Sequence, residues 1–305
     1  MKPSELTYGP EFASPAVGGS VHNNSPRMRL DRIVSIGLSK LVPGVLGWRS
    51  QRRIPILMYH GIQTGLGMRH PYFETNTSPN LFEAQMRFLS EAGYKAASLN
   101  EILEAIRTKQ KMDKWVAITF DDGYKDFYTQ AFPILQKYNL HATVFVVPGF
   151  INGLHPEKPP CDYMSWEQVR EVSAHGISIG SHTMTHPALY TLPLAVIEEQ
   201  VRQSKDLIQD KLGSAIDSFA YPFAFPEYDK QFVRKLRDIL QRHSYRCGVC
   251  TIIGRAHSGN DHFFLPRLPV NSYDDLRFFE AKLNGGYDWL HTLQYPVKLL
   301  KARLS

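Results

Sequence analysis

The sequence predicts an α/β protein, a closed or nearly closed (β/α) barrel with parallel strands inside and helices outside, over residues 54–275. Two observations carry this. Apolar, β-branched runs alternate with helix-period segments from residue 54 onward, and chemically competent residues recur where those runs end. A chain of 305 residues has room for one such barrel. An open α/β sheet is the second fit.

Residues 1–27, rich in Gly, Pro, Ser and Asn and without periodicity, read as a disordered tail. Residues 28–53 read as a basic amphipathic segment. Leu30, Ile33, Val34, Leu38 and Leu41 follow helical spacing, and Pro43 is expected to stop or bend the helix. Such a helix either lies in a membrane interface, favoured by anionic lipid, or packs on the outside of the barrel. Ile54–Ile62 is strand-like. Asn80 is expected to cap a helix carrying Phe82, Met86 and Leu89, which Gly93 ends. Ser98–Arg107 reads as another helix. A strand over 116–121 precedes a helix near 125–138 and a strand over Ala142–Val147. Ser165-Trp166-Glu167-Gln168 is a capping box opening a helix that Gly176 closes. There follow a strand over 177–182, a helix near 193–212, a strand over Ser218–Tyr221, a helix near 227–241, a strand near Tyr245–Thr251 and a late segment, Phe263–Val270. Residues 276–305 read as a C-terminal extension with a basic end.

Composition narrows the function classes. At 43% hydrophobic residues the chain can bury a core, and it holds no apolar run of about 18 residues that would span a membrane. The net charge of +6 sits at the ends. Residues 1–53 carry Lys2, Arg27, Arg29, Arg32, Lys40, Arg49, Arg52 and Arg53 against Glu5, Glu11 and Asp31, and the last eight residues add Lys298, Lys301 and Arg303. A body without excess positive charge argues against a nucleic-acid groove. Cys161, Cys247 and Cys250 cannot all pair with one another, which favours a reducing compartment. Cys247-Gly248-Val249-Cys250 has the spacing of half a zinc ribbon or a redox pair, but it lies in a strand-like run and reads as core. Asp31 and Lys40 interrupt the only leader-like stretch, so the expected location is cytoplasmic, with the basic ends favouring peripheral contact with the cytoplasmic face of a membrane.

Thr119-Phe120-Asp121-Asp122-Gly123 sets two carboxylates side by side at the end of a strand-like run. Adjacent like charges are costly unless a cation sits between them or their jobs differ. Ser181-His182-Thr183-Met184-Thr185-His186 follows another such run and offers two imidazoles four residues apart. One carboxylate with two histidines leaves positions open on a metal, as hydrolytic chemistry requires. In a β/α barrel His60, Asp121, Asp122, His182 and Tyr221-Pro222-Phe223, each at a strand's C-terminal end, would converge on one face. The loops Gly61–Pro79 and Gly149–Met164 would rise over that face, with Tyr72, Phe73, His155 and Tyr163 turned towards a substrate.

From about Ile54 to Val270 the sequence resembles the NodB-homology polysaccharide deacetylases, carbohydrate esterase family four. The resemblance rests on Ile56-Leu57-Met58-Tyr59-His60, the TFDDG run, Ala142-Thr143-Val144-Phe145 and the His182-Thr183-x-x-His186 run. It implies a deformed β/α barrel and a metal-dependent hydrolase that removes acetyl groups from N-acetylated sugars, usually with zinc. Carried over, Asp122, His182 and His186 would hold the metal, and Asp121 would be the general base towards the attacking water. A backbone N–H near Tyr221, Pro222 and Phe223 would help hold the oxyanion. The late Leu-His acid of many members has no convincing match, since Trp289-Leu290-His291 lies outside a clear strand. Some members are similar to a circular permutation with the acid on a Tyr-His first strand, which makes His60 the candidate acid. The third motif lacks its arginine, and Arg267 is the candidate partner of the base. The tryptophan-containing fourth motif also has no clear match. The implied reaction is removal of the N-acetyl group from an N-acetylhexosamine-containing saccharide, lipid-linked or part of a nascent surface polysaccharide, with release of acetate. A sugar O-acetyl esterase and a non-catalytic saccharide-binding protein are the alternatives.

Overall fold

The computed structural model describes residues 30–50, 53–64, 74–153 and 162–296, with the backbone alone for 41–50. The N-terminal tail, Tyr72, Phe73, His155, Cys161 and the basic C-terminal end lie outside the described residues.

Seven parallel strands form a ring: β1 (Ile56–Tyr59), β3 (Trp115–Phe120), β4 (Thr143–Val146), β5 (Ser178–Ser181), β6 (Ser218–Ala220), β7 (Cys247–Ile253) and β8 (Leu265–Pro269). Leu57 pairs with Ile118 of β3 on one side and with Leu268 of β8 on the other, so β1 closes the barrel and the open sheet is excluded. A two-residue strand, β2 (Lys95–Ala96), hangs on the outside of β3; nothing in its sequence distinguishes it from a turn.

The pleat sorts each strand's residues between two environments. Ile56, Ala117, Phe145, Ala220, Val249 and Leu265 share one buried cluster within the ring. Their neighbours Leu57, Ile118, Val144, Val146 and Leu268 belong to a second cluster with the surrounding helices. Strands buried on both sides must read as continuous apolar runs, as Trp115–Phe120 and Thr143–Val146 do. Gly180 makes room for the inner layer, since a Cβ there would lie 2.5 Å from the Phe145 ring. Cys247 faces the inner cluster and Cys250 a third one, between β6, β7 and their helices, so the two thiols are separate core residues rather than a pair.

Helices α2 (Pro79–Glu91), α3 (Leu99–Arg107), α4 (Phe132–Lys137), α5 (Pro148–Ile151), α6 (Trp166–Ala174), α7 (Leu194–Leu212), α8 (Lys230–Arg242) and α9 (Leu276–Leu283) complete the barrel. Ser98 and Ser165 form capping boxes with Glu101 and Gln168. The cap of α2 is Ser78, not Asn80, because Pro79 is pre-set for the first helical position and leaves the N-cap to the serine before it. A π-helical turn, Phe127–Ala131, lies between the TFDDG run and α4. α9 buries Phe278, Phe279, Ala281 and Leu283 in the same cluster as Leu57, so the packed body extends past residue 275. Helix α1 (Leu30–Ser50) runs on past Pro43, so the stop expected as one outcome there does not occur. A proline inside a helix removes one backbone hydrogen bond, and here that loss does not end it.

Candidate active site

The inward residues of β3 continue at period two from Ala117 through Thr119 to Asp121, and those of β8 from Leu265 to Arg267. The barrel mouth therefore receives a buried pair. Arg267 donates from its two terminal nitrogens to the two Asp121 oxygens at 2.7 and 2.6 Å, and also to Thr119 Oγ1 (3.2 Å) and the Cys250 carbonyl (3.1 Å). The Arg267 side chain is 0% exposed and that of Asp121 3%. Burial alone would raise the Asp121 carboxyl; the Arg267 guanidinium, with His182, outweighs it and holds the group well below the usual carboxylate range. His60 Nε2 approaches the same carboxylate at 3.9 Å.

Asp122 turns away from its neighbour through a left-handed backbone conformation, φ 71°. Its Oδ1 lies 3.6 Å from His182 Nε2 and 3.4 Å from His186 Nε2, and the three ligand atoms lie within 4.8 Å of one another. The donor set fits a divalent cation on three counts. Asp122 Oδ1 is buried without a hydrogen-bond partner, an orphan facing both imidazoles. His182 Nδ1 lies 2.8 Å from the Ala220 carbonyl, to which it can only donate, so Nε2 carries the lone pair. Burial, with His182 adding to it, pushes the His186 imidazole down to about 4, which leaves it neutral at pH 7.

Backbone strain is concentrated here. Asp122, Thr183, His186 and Phe223 all have positive φ, 71°, 68°, 55° and 59°, in a region that non-glycine residues rarely adopt. Gln200 of α7 holds the strained histidine loop by accepting from the Met184 and Thr185 amides, at 3.0 and 2.9 Å. Gly149 admits the Met184 carbonyl, which a Cβ would approach to 2.5 Å. Neither Gln200 nor the Ala220 carbonyl is legible as a site residue in the sequence; an internal helical glutamine and a backbone oxygen carry no motif.

The third-motif residues divide. The Tyr221 amide donates to the Val249 carbonyl at 3.0 Å, its ring is buried in the core, and Pro222 has no N–H. Only Phe223 keeps an N–H without a partner among the described residues, which narrows the expected oxyanion donors to one. The Phe223 ring is 53% exposed and its centroid lies 4.6 Å from that of His186. On the other side Phe150 contacts His186 and Tyr163, and Tyr163 stacks on Tyr124, so Tyr163 does stand beside the site. His291, the late Leu-His residue, lies 2.7 Å from the Glu227 carboxylate through Nε2. A cavity of about 330 Å³, lined by Thr143 and Ser178 at the strands' N-terminal ends, and one of about 450 Å³, lined by Arg202, Asp206 and His243, lie elsewhere and include none of these side chains.

Asp126, four residues after Asp122, is a half-buried residue whose two carboxylate oxygens are both buried. Neither oxygen has a hydrogen bond of ordinary geometry, and burial pushes its carboxyl up to about 6, against weak opposition from the Ile62 and Phe127 amides. A carboxyl whose folded-state value lies above its unfolded one favours the fold below about pH 4 and opposes it above pH 6. Asp126→Asn is accordingly expected to stabilise the protein by about 2–3 kcal/mol at pH 8, with the gain vanishing by pH 4, as read from denaturant melts across pH.

The polysaccharide deacetylase family profile matches residues 108–247. A protein of Bacillus subtilis strain 168 named as a polysaccharide deacetylase (YxkH) is 32% identical over 220 residues, 72% of this chain and 72% of its own. The poly-beta-1,6-N-acetyl-D-glucosamine N-deacetylase of Escherichia coli K12 is 36% identical over 109 residues, which is 32% of this chain and 16% of that protein. Among solved structures, the Streptococcus pyogenes deacetylase PplD in complex with acetate superposes with a TM-score of 0.66 at 28% identity, over 76% of this chain and 98% of that one. A Bacillus anthracis structure described as a polysaccharide deacetylase gives 0.62 at 25%, over 76% and 69%. With the closed barrel, the joined Asp–His–His cluster and these relatives in agreement, the chain belongs to the polysaccharide deacetylase family.

Proposed function

We propose that this protein is a metal-dependent hydrolase that removes the N-acetyl group from an N-acetylhexosamine-containing saccharide and releases acetate. The observation that carries the reading is the meeting, at one barrel mouth, of an orphaned Asp122 oxygen, two neutral-competent imidazoles and a separately held carboxylate. Asp122, His182 and His186 would hold the cation, and their mixed carboxylate–imidazole set suits zinc among other divalent metals. When bound, the cation supplies Lewis acidity, polarising the acetyl carbonyl and acidifying the attacking water.

The chain's own groups account for the rest. Asp121, kept ionised by Arg267, takes the proton of the water as its oxygen bonds to the acetyl carbon. The Phe223 N–H donates to the carbonyl oxygen as negative charge gathers there. When the C–N bond breaks, the sugar nitrogen takes a proton from His60, which lies across the Asp121 carboxylate and is reachable from solvent. The exposed Phe223 ring offers an apolar face for a pyranose. Incubating the purified protein with N-acetylglucosamine oligomers, O-acetylated sugars and a chelator-treated control, and measuring acetate, tests the reading. Acetate from the amides that is lost with chelator is expected. Release only from esters, with His60→Ala fully active, would make the protein an esterase, and no release from any would leave a saccharide-binding protein.

A further inference from the structure

Helix α1 meets the barrel through a mixed side, on which Ile36 packs against the core cluster. Asp31 and Ser35 are buried, Arg32 pairs with Asp275, and Trp289 Nε1 donates to Ser35 Oγ at 3.0 Å. The contact is close: a Cβ on Gly286 would lie 2.2 Å from the Ser35 carbonyl oxygen. The opposite side is open, and a Cβ on Gly37 would meet nothing within 4 Å. On that side Leu30, Ile33 and Val34 are 66%, 52% and 42% exposed. An amphipathic helix packed on a protein ordinarily buries such residues as well. Leu276, which follows Asp275, is also partly exposed, and so is Leu293 in the helical stretch 290–296 that leads away from Trp289.

Charge identifies what the stripe fits. Lys40 lies on the exposed part of the helix, and in the sequence Arg27 and Arg29 precede it while Arg49, Arg52 and Arg53 end or follow it. An apolar stripe flanked by cations is complementary to an anionic bilayer surface, into which Leu, Ile and Val insert while Arg and Lys meet the headgroups. No described helix is long and apolar enough to cross a membrane, so the contact is interfacial. Asp275 lies in the connection leaving the C-terminal end of β8, so the N-terminal end of α1 sits at the catalytic rim.

We propose that the outward face of α1 docks on an anionic lipid bilayer and brings the barrel mouth close to that surface. The test is flotation of the full chain with phosphatidylcholine vesicles, with and without phosphatidylglycerol, at low and high salt, alongside Ile33→Glu and Val34→Glu. Both positions are exposed, so unchanged melting and unchanged acetate release from a soluble oligosaccharide confirm intact variants and keep this test separate from the catalytic one. The expected result is binding to the anionic vesicles that weakens with salt and falls roughly tenfold with each substitution. Absence of vesicle binding, binding indifferent to both substitutions, or a dimer in solution that the substitutions dissociate would overturn it; the last would assign the stripe to a second copy of the chain.

Discussion

Asp121→Asn is expected to lower the rate of acetate release by about 10²–10⁴-fold while leaving the barrel folded and the Asp122, His182 and His186 cluster able to bind metal. The amide is nearly isosteric and can still accept one hydrogen bond from Arg267, but it cannot take a proton from water. The loss should fall on kcat far more than on KM, because the carboxylate is almost wholly buried and offers little surface to bind the sugar. Steady-state kinetics with a soluble N-acetylated oligosaccharide, together with the metal content of the variant, make the comparison. A variant that keeps its metal and works at the wild-type rate would remove Asp121 from the mechanism.

Arg267→Met is expected to cost about 3–5 kcal/mol of stability at neutral pH, since it leaves Asp121 as an uncompensated charge in a buried site. The pH dependence has a definite sign. In the wild type the Asp121 carboxyl is held below its ordinary value, so the pair's contribution is present above about pH 4 and is lost only in stronger acid. Without the guanidinium, burial dominates and the folded-state value rises above the unfolded one. The penalty is then largest at neutral pH and shrinks as pH falls through 4. The acidic limb of the rate–pH profile should move upward for the same reason, because the base is protonated at a higher pH. Urea melts at pH 7 and pH 4, with rate–pH profiles, measure both. Profiles that superpose would contradict the pairing of Arg267 with the base.

The barrel and the four-residue centre are legible in the sequence because their causes are local. Apolar runs such as Thr143–Val146 can only be strands buried on both sides, and Asp121-Asp122 and His182…His186 each occupy one short segment. Arg267 is legible by a different route: a buried base needs a cation, and Arg267 lies at a strand end where one could reach it. The parts not legible depend on the backbone or on distant packing. Assigning the oxyanion donor required knowing that the Tyr221 amide is already bonded to Val249, which is a matter of register across β6 and β7. Gln200 acts only because α7 lies against the histidine loop. The apolar positions of α1 were visible from their spacing, but which side faced the barrel depended on Gly286 and Trp289, some 250 residues away in the chain.

The most direct measurement is the zinc content of the dialysed protein, compared with that of His182→Ala and His186→Ala after the same treatment. Lone-pair nitrogens from both imidazoles and the orphaned Asp122 oxygen predict one tightly held ion per chain in the wild type, and little or none in either variant. Wild-type protein that releases acetate at full rate without a bound divalent ion, or variants that retain as much metal as the wild type, would contradict the site described here.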